Sequence, residues 1–374
     1  MRIKKIELLY FSAVIMLLVR NIIQVSTLID IKSTSMFFDV LLFSAYILLF
    51  IKIIYKENIK RLIVYAIIIF LALISYASSK MTDYLSLVLL VIGAKGIDIK
   101  KIVKVCFSFY AITLGVHIIA YIITMLVDPA SIEIVHRDEV ERYSFFLGHP
   151  NSFAAILAWT NIMYLYLRYD KLKIRDYILT ILVALFIYFV PNSRTSAILL
   201  IVFIIMILMF KKNIRFIIKL GRFAIPVLAV TMIALFLVYN MSPIIDKLDG
   251  ILNARIKLGL AIYENYGTTL FGEYIPFGQE LSSVYKYGLT KLTIDSAYYS
   301  LLFSYGIINT LVFLFIYTKL SFKKGLENKK ILFLVIWAFY AVTETLALNP
   351  LLCFPLLFAK ELIEKGAKSK KNES

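Results

Sequence analysis

Reactive and acidic residues are scarce in this chain: two cysteines among 374 residues, 24 acids against 41 Lys and Arg, and long stretches with no charge at all. Each shortage excludes a class of function. Cys106 and Cys353 fall inside apolar runs, where a lone thiol behaves as a small hydrophobe, so neither a disulfide nor a metal site is expected. There is no Walker A loop, no GxGxxG, no HExxH, no CxxC and no Asp-x-Asp pair, so nucleotide-driven and metal-dependent chemistry are not expected and no cofactor is implied. The runs 177–190, 196–210 and 223–238 contain no Asp, Glu, Lys or Arg, and so lack the buried ionisable relay of a proton-coupled pump. The first apolar run continues to Leu28 without a small-residue cleavage site and reads as an anchor, not a removable leader.

What is present is apolar. Hydrophobic residues make up 61% of the chain and the mean hydropathy is +0.85, well beyond the roughly 45–50% apolar share of a soluble domain. Runs long enough to cross a bilayer recur, separated by clusters of Lys and Arg. They predict an all-α polytopic membrane protein forming one domain over 1–374. The expected spans are 6–28, 36–55, 62–78, 81–94, 102–126, 150–168, 177–191, 195–210, 223–240, 295–318, 331–348 and 350–363. The fourth and last are short enough to be re-entrant, which brackets the count at ten to twelve.

The formal charge of +17 does not point to nucleic acid. With a cytoplasmic N-terminus, the segments 1–7, 52–61, 95–104, 168–176, 211–222, 319–330 and 360–374 hold 30 of the 41 Lys and Arg but only 9 of the 24 acids. That is the positive-inside bias of a multi-pass protein whose termini are both cytoplasmic, ending in a basic tail over 364–374. Two outer segments are long, 128–150 and the larger 240–294 between the ninth and tenth spans, and long loops in compact proteins tend to be functional.

Polarity collects at these outer ends. The charged run from Arg137 to Arg142 reads either as a wet turn with weak ion pairs or as part of a site. Behind it, Gly148-His149-Pro150-Asn151 suits a helix start, with Pro150 in the first turn and His149 and Asn151 as caps or ligands. The hairpin Pro191-Asn192-Ser193-Arg194-Thr195 holds Arg194 at the outer surface, either snorkelling to headgroups or fixed for an anion. Apolar residues at helical spacing over 242–264 predict an amphipathic helix along the interface, with Arg255 on its wet face or in the site. Tyr263, Tyr266, Tyr274, Phe277, Tyr285 and Tyr287 form an interfacial girdle or a platform for sugar rings. Asp295 sits at a helix N-terminus, where the dipole favours it in any case. Glu344, near the outer end of its span, needs either water or an arginine partner. Arginines, a histidine and two carboxylates together suit an anionic lipid headgroup, a lipid-linked diphosphate above all.

The strings Arg142-Tyr143-Ser144-Phe145, Gly148-His149-Pro150-Asn151 and Asn192-Ser193-Arg194-Thr195 resemble those of bacterial Wzy-type polysaccharide polymerases and their O-antigen ligase relatives. So do Arg255 before Leu270-Phe271-Gly272, Asp295-Ser296-Ala297-Tyr298 with Gly306, and Thr343-Glu344, in family order over about residues 140–345. The ligases carry a histidine in the large outer loop; 240–294 has none, which favours a polymerase. The resemblance implies inverting, metal-independent glycosyl transfer between undecaprenyl-diphosphate-linked oligosaccharides at the outer face of the bacterial cytoplasmic membrane. A flippase and a chain-length regulator would be its partners. It implies Arg142, Arg194 and Arg255 on the diphosphate, with Tyr143, Asn151, Ser193 and Tyr298 as further substrate contacts. His149 is then the first choice of base and Asp295 the second, while Glu344 orients an arginine. The rival readings are ligase-type transfer to another acceptor, and a lipid-linked oligosaccharide flippase in which Arg20, Asp39 and Lys104 line a cavity.

Overall fold

The structure is a computed structural model that describes residues 5–28, 35–137, 139–239, 243–278, 285–289 and 291–364. Asp138, Ser242 at the start of the expected amphipathic helix, and the basic tail after residue 364 lie outside the described residues.

Uninterrupted apolar runs form α1 (Lys5–Val25), α2 (Ser35–Ile54), α3 (Ile59–Ser79), α4 (Asp83–Gly93) and α5 (Ile99–Val127). At the basic end, Asn58 and Asp98 cap α3 and α5 by accepting from the backbone N–H groups two residues on. The antiparallel pair β1 (Val135–Arg137) and β2 (Val140–Arg142) follows, with Val135 opposite Arg142. Then come α6 (Pro150–Arg168), α7 (Ile174–Phe189), α8 (Arg194–Lys211), α9 (Arg215–Gly221), α10 (Ala224–Leu237), α11 (Pro243–Ile251) and α12 (Arg255–Tyr266). The chain ends with α13 (Ala297–Tyr299), α14 (Gly306–Ser321), α15 (Asn328–Thr343) and 3-10 segments Thr345–Leu348 and Phe354–Leu362.

Five of these helices are long and apolar enough to cross a membrane: Lys5–Val25, Met36–Ile54, Ile59–Ser79, Ile99–Val127 and Arg194–Lys211. The pair α9 and α10 qualifies as a sixth, bent by 52°. Solvent preference is written on the periphery. Ile67, Phe70, Ile119, Leu182, Phe189 and Ile205 are large, apolar and exposed, a surface that suits hydrocarbon and not water. At the centre, α15 is buried on all sides from Ile331 to Ala338, and the segment after it, Leu351 to Ala359, is buried throughout.

The expected run of twelve regular spans does not form in three places. Span 295–318 is interrupted: α13 passes into a π-helical turn at Ser300–Ser304, and α14 starts afresh at Gly306. The cause is the approach of another backbone. Gly272 and Gly306 are both left-handed (φ 89° and 86°), and a Cβ at either would lie within about 2 Å of the other's backbone neighbourhood, Ser304 O at 2.0 Å and Gly272 N at 2.2 Å. Span 331–348 leaves helical geometry at Glu344 (φ −145°, ψ 128°). Span 350–363 is 3-10 in its ordered part, after a turn at Asn349-Pro350.

The segment 240–294 is also not a free loop. Its expected single amphipathic helix is two, because Asn253 and Ala254 take left-handed backbone (φ 51° and 62°). Only α11 behaves as an interfacial helix, with Ile244, Leu248 and Ile251 exposed. α12 packs inward, burying Arg255, Ile256, Leu260 and Ile262. Asp249 makes the junction: its Oδ1 accepts from the Ile256 N–H at 2.6 Å, taking over the cap that Ala254 has no side chain to supply.

Candidate functional site

The polar residues gather at the end of the bundle opposite the basic loops. Arg142, at the end of β2, is buried although it belongs to a charged hairpin. Its Nε donates to Pro191 O at 3.0 Å and one Nη to Asn151 Oδ1 at 2.6 Å, so the hairpin, the 191–195 turn and the start of α6 are tied through one guanidinium. The wet-turn reading therefore fails for Arg142 itself. Neither partner carries charge, and two of the five guanidinium N–H groups are used.

His149 is the N-cap of α6, its Nδ1 accepting from the Asn151 N–H at 3.1 Å. A backbone N–H can only donate, so Nδ1 carries the lone pair and a neutral ring carries its proton on Nε2. Partial burial and the nearby Arg142 charge hold the imidazole below its usual pKa, with Asp295 opposing them. Arg142, His149 and Asp295 thus share one electrostatic neighbourhood.

Arg255, buried at the start of α12, donates through Nε and one Nη to Thr343 O at 2.9 and 2.8 Å, and through the other Nη to Leu252 O at 2.8 Å. Glu344 lies 3.8 Å away, a loose ion pair. The guanidinium is positioned mainly by carbonyl oxygens, and Glu344 finds in it the arginine partner that its sequence position calls for. Glu344 stands just beyond the last turn of α15.

Arg194, the first residue of α8, is exposed and stands at the mouth of an apolar groove of about 590 Å³. Leu199, Leu228, Met232, Leu248 and Phe339 help to line it, and its wall includes Thr343, the residue whose carbonyl holds Arg255. Ser193 is buried in the turn that presents Arg194, its hydroxyl 3.5 Å from that of Ser196.

Two expected contacts point elsewhere. The Tyr298 hydroxyl donates to Ala338 O at 3.1 Å and its ring meets Trp337 edge-on, a core position. The Tyr143 hydroxyl donates to Glu141, and its ring lies edge-on to Tyr121. Of the six loop aromatics, Phe277 borders the recess that holds Asp295. Of Arg20, Asp39 and Lys104, Arg20 alone lines one of the recesses at this end.

The recess that holds Asp295 is also lined by Asp83, at the start of α4, and Asn349, in the turn after α15, neither of them singled out by the sequence. The available signals were the Thr82-Asp83 start of an unusually short apolar run and the Asn349-Pro350 break between two others. Among the described residues, no group of three or more His, Cys, Asp or Glu side chains is placed to hold a metal ion. In comparisons with protein-family models, curated proteins and solved structures, nothing matches this chain.

Proposed function

We propose that the chain is a polysaccharide polymerase of the Wzy type, joining undecaprenyl-diphosphate-linked repeat units at the outer face of the bacterial cytoplasmic membrane. The observation that carries this reading is the apolar groove with Arg194 at its mouth, sharing Thr343 with the seat of Arg255. A polyprenyl chain needs an apolar trough, and its diphosphate needs guanidinium groups not already neutralised by carboxylates. Arg142 has neutral oxygen partners, Arg255 is set by carbonyls with Glu344 only loosely paired, and Arg194 stands at the groove's edge.

In the reaction an acceptor hydroxyl oxygen bonds to the anomeric carbon of the donor sugar as the bond from that carbon to the diphosphate oxygen breaks. The electron pair departs with undecaprenyl diphosphate, and the hydroxyl proton passes to a protein base. The departing diphosphate oxygen gains negative charge as the bond breaks, so fixed cations lower the barrier without a metal. Asp295 moves ahead of His149 as the base, because the His149 Nδ1 lone pair is engaged and Nε2 carries a proton. His149 then serves as a donor to the leaving oxygen. The span count beyond the five or six apolar helices, the outward orientation of this end and the cytoplasmic termini belong to the same proposal and rest on the charge bias.

Arg20, which lines a recess beside Asp83, favours the transporter as a second reading. Against it, Leu17, Leu90 and Leu352 also line these recesses, which gives them apolar walls beside the polar ones. Membrane insertion and chain length in cells carrying Arg194→Ala separate the readings. A polymerase gives inserted protein with single repeats in place of long chains. Long chains at wild-type length exclude the proposal, and lipid-linked repeats accumulating on the cytoplasmic side when the protein is lost favour transport.

A further inference from the structure

Three adjoining recesses share two residues. The widest, about 310 Å³, holds Asp295 and Ser300; the next, about 160 Å³, is lined by Asn21, Gln24 and Ser152; a narrow one of about 10 Å³ reaches Arg20. Asp83 and Asn349 line all three, so the recesses adjoin around these two side chains and are treated together as one chamber. Its polar walls come from α1, the start of α4, the first turn of α6 and the Asn349 turn, elements otherwise buried in apolar packing.

Polar groups in such a place are costly unless something bonds them. Arg20 Nε is buried without a hydrogen-bond partner. Arg20 acts electrostatically on Asp83, yet the two make no ion pair among the described residues, and Asp83 opens onto the chamber. Asn349 Oδ1 is taken by the Leu351 and Leu352 N–H groups at 3.0 and 3.3 Å, which leaves its amide N–H groups for another partner.

We propose that this chamber binds the terminal sugar of the acceptor repeat unit and presents it to Asp295. The proposal rests on the polymerase reading and adds the acceptor's subsite to it. Sugar hydroxyls both donate and accept. The chamber offers acceptors in Asp83 and the amide oxygens of Asn21 and Gln24, and donors in Arg20 and the Asn349 amide. Two acids, Asp83 and Asp295, against one base, Arg20, give the lining a net negative charge, unlike the region of Arg142, Arg194 and Arg255. It therefore suits an uncharged polyol better than a phosphate. A cavity of a few hundred Å³ with convergent polar groups is of the size that holds a small ligand.

The test uses the full chain in lipid nanodiscs. The probe is a set of lipid-free oligosaccharides from partial acid hydrolysis of the source cell's own surface polysaccharide, and binding is read by saturation-transfer NMR. Wild type is expected to show transfer to the terminal sugar. Asp83→Asn and Gln24→Leu are each expected to weaken it about 10-fold or more, the loss of one or two hydrogen bonds to the ligand. Arg194→Ala is expected to leave it in place. Gln24 is exposed at the end of α1, so its replacement keeps the test valid if Asp83→Asn fails to fold. No transfer in wild type, equal transfer in a folded Asp83→Asn and in Gln24→Leu, or loss in Arg194→Ala overturns the chamber. The outcomes also stay separate from the polymerase reading. Sugar binding that depends on Asp83, with chain length indifferent to Arg194, removes the polymerase and keeps a carbohydrate site; the reverse removes the chamber alone.

Discussion

Arg142 and Asn151 meet at 2.6 Å, guanidinium N–H to amide oxygen, and the Asn151 backbone N–H reaches on to His149 Nδ1 at 3.1 Å. One residue therefore aims a cation with its side chain and sets a histidine tautomer with its main chain.

If Arg142 serves the diphosphate, its partner must be an uncharged oxygen. Asn151→Ala removes a charge-assisted hydrogen bond of about 1.5–3 kcal/mol, which predicts roughly 10- to 100-fold slower polymerisation by purified protein on lipid-linked repeats. Asn151→Asp keeps the shape and neutralises the guanidinium, and is expected to be at least as slow. Wild-type rates in Asn151→Asp, measured by gel separation of product lengths, would contradict this role for Arg142.

Arg194 stands apart because no hydrogen bond or ion pair to another side chain is seen for it among the described residues and it borders the groove. Lysine keeps the charge but loses the planar fork that grips two phosphate oxygens. Arg194→Lys is therefore expected to insert normally and yield short chains, close to the alanine variant. Full-length polysaccharide in Arg194→Lys cells would reduce the interaction to simple charge attraction.

The Gly272 and Gly306 contact is where the loop enters the bundle. A Cβ on Gly272 would lie 2.0 Å from Ser304 O, and backbone cannot swing aside as a side chain can. Gly272→Ala and Gly306→Ala are each expected to cost several kcal/mol, from left-handed strain of about 1 kcal/mol plus the clash. Both should lose the monodisperse peak in size-exclusion chromatography. Gly267→Ala, at φ 67° and ψ −151° with nothing within 4 Å of the added atom, is the control and should lose only the backbone strain of about 1–3 kcal/mol.

How far the site could be read from sequence varied with the type of contact. His149 and Pro150 announce a helix start by local chemistry, and the structure has the cap. Arg255 could not be read in the same way. Its wet-face alternative follows from the helical spacing of one continuous segment, and the left-handed pair Asn253 and Ala254 breaks that spacing and turns the arginine inward. The family resemblance implies Tyr298 at substrate, yet in the fold it sits in the core against Trp337, its hydroxyl on Ala338 O. Asp83 drew no notice because an acid at the start of a helix is ordinary until the neighbours across the bundle are known.

By itself the sequence determined the medium this protein folds in, the helical class and the end of the bundle where charge is excluded or collected. Those properties are sums over nearby residues, and partition into hydrocarbon depends on composition along a run. The tertiary structure decided which arginines keep their charge available and which acids share a cavity. Arg142 and Arg255 each donate to one distant backbone carbonyl, Pro191 O and Thr343 O, 49 and 88 positions away, and a carbonyl has no identity in sequence until the fold brings it close.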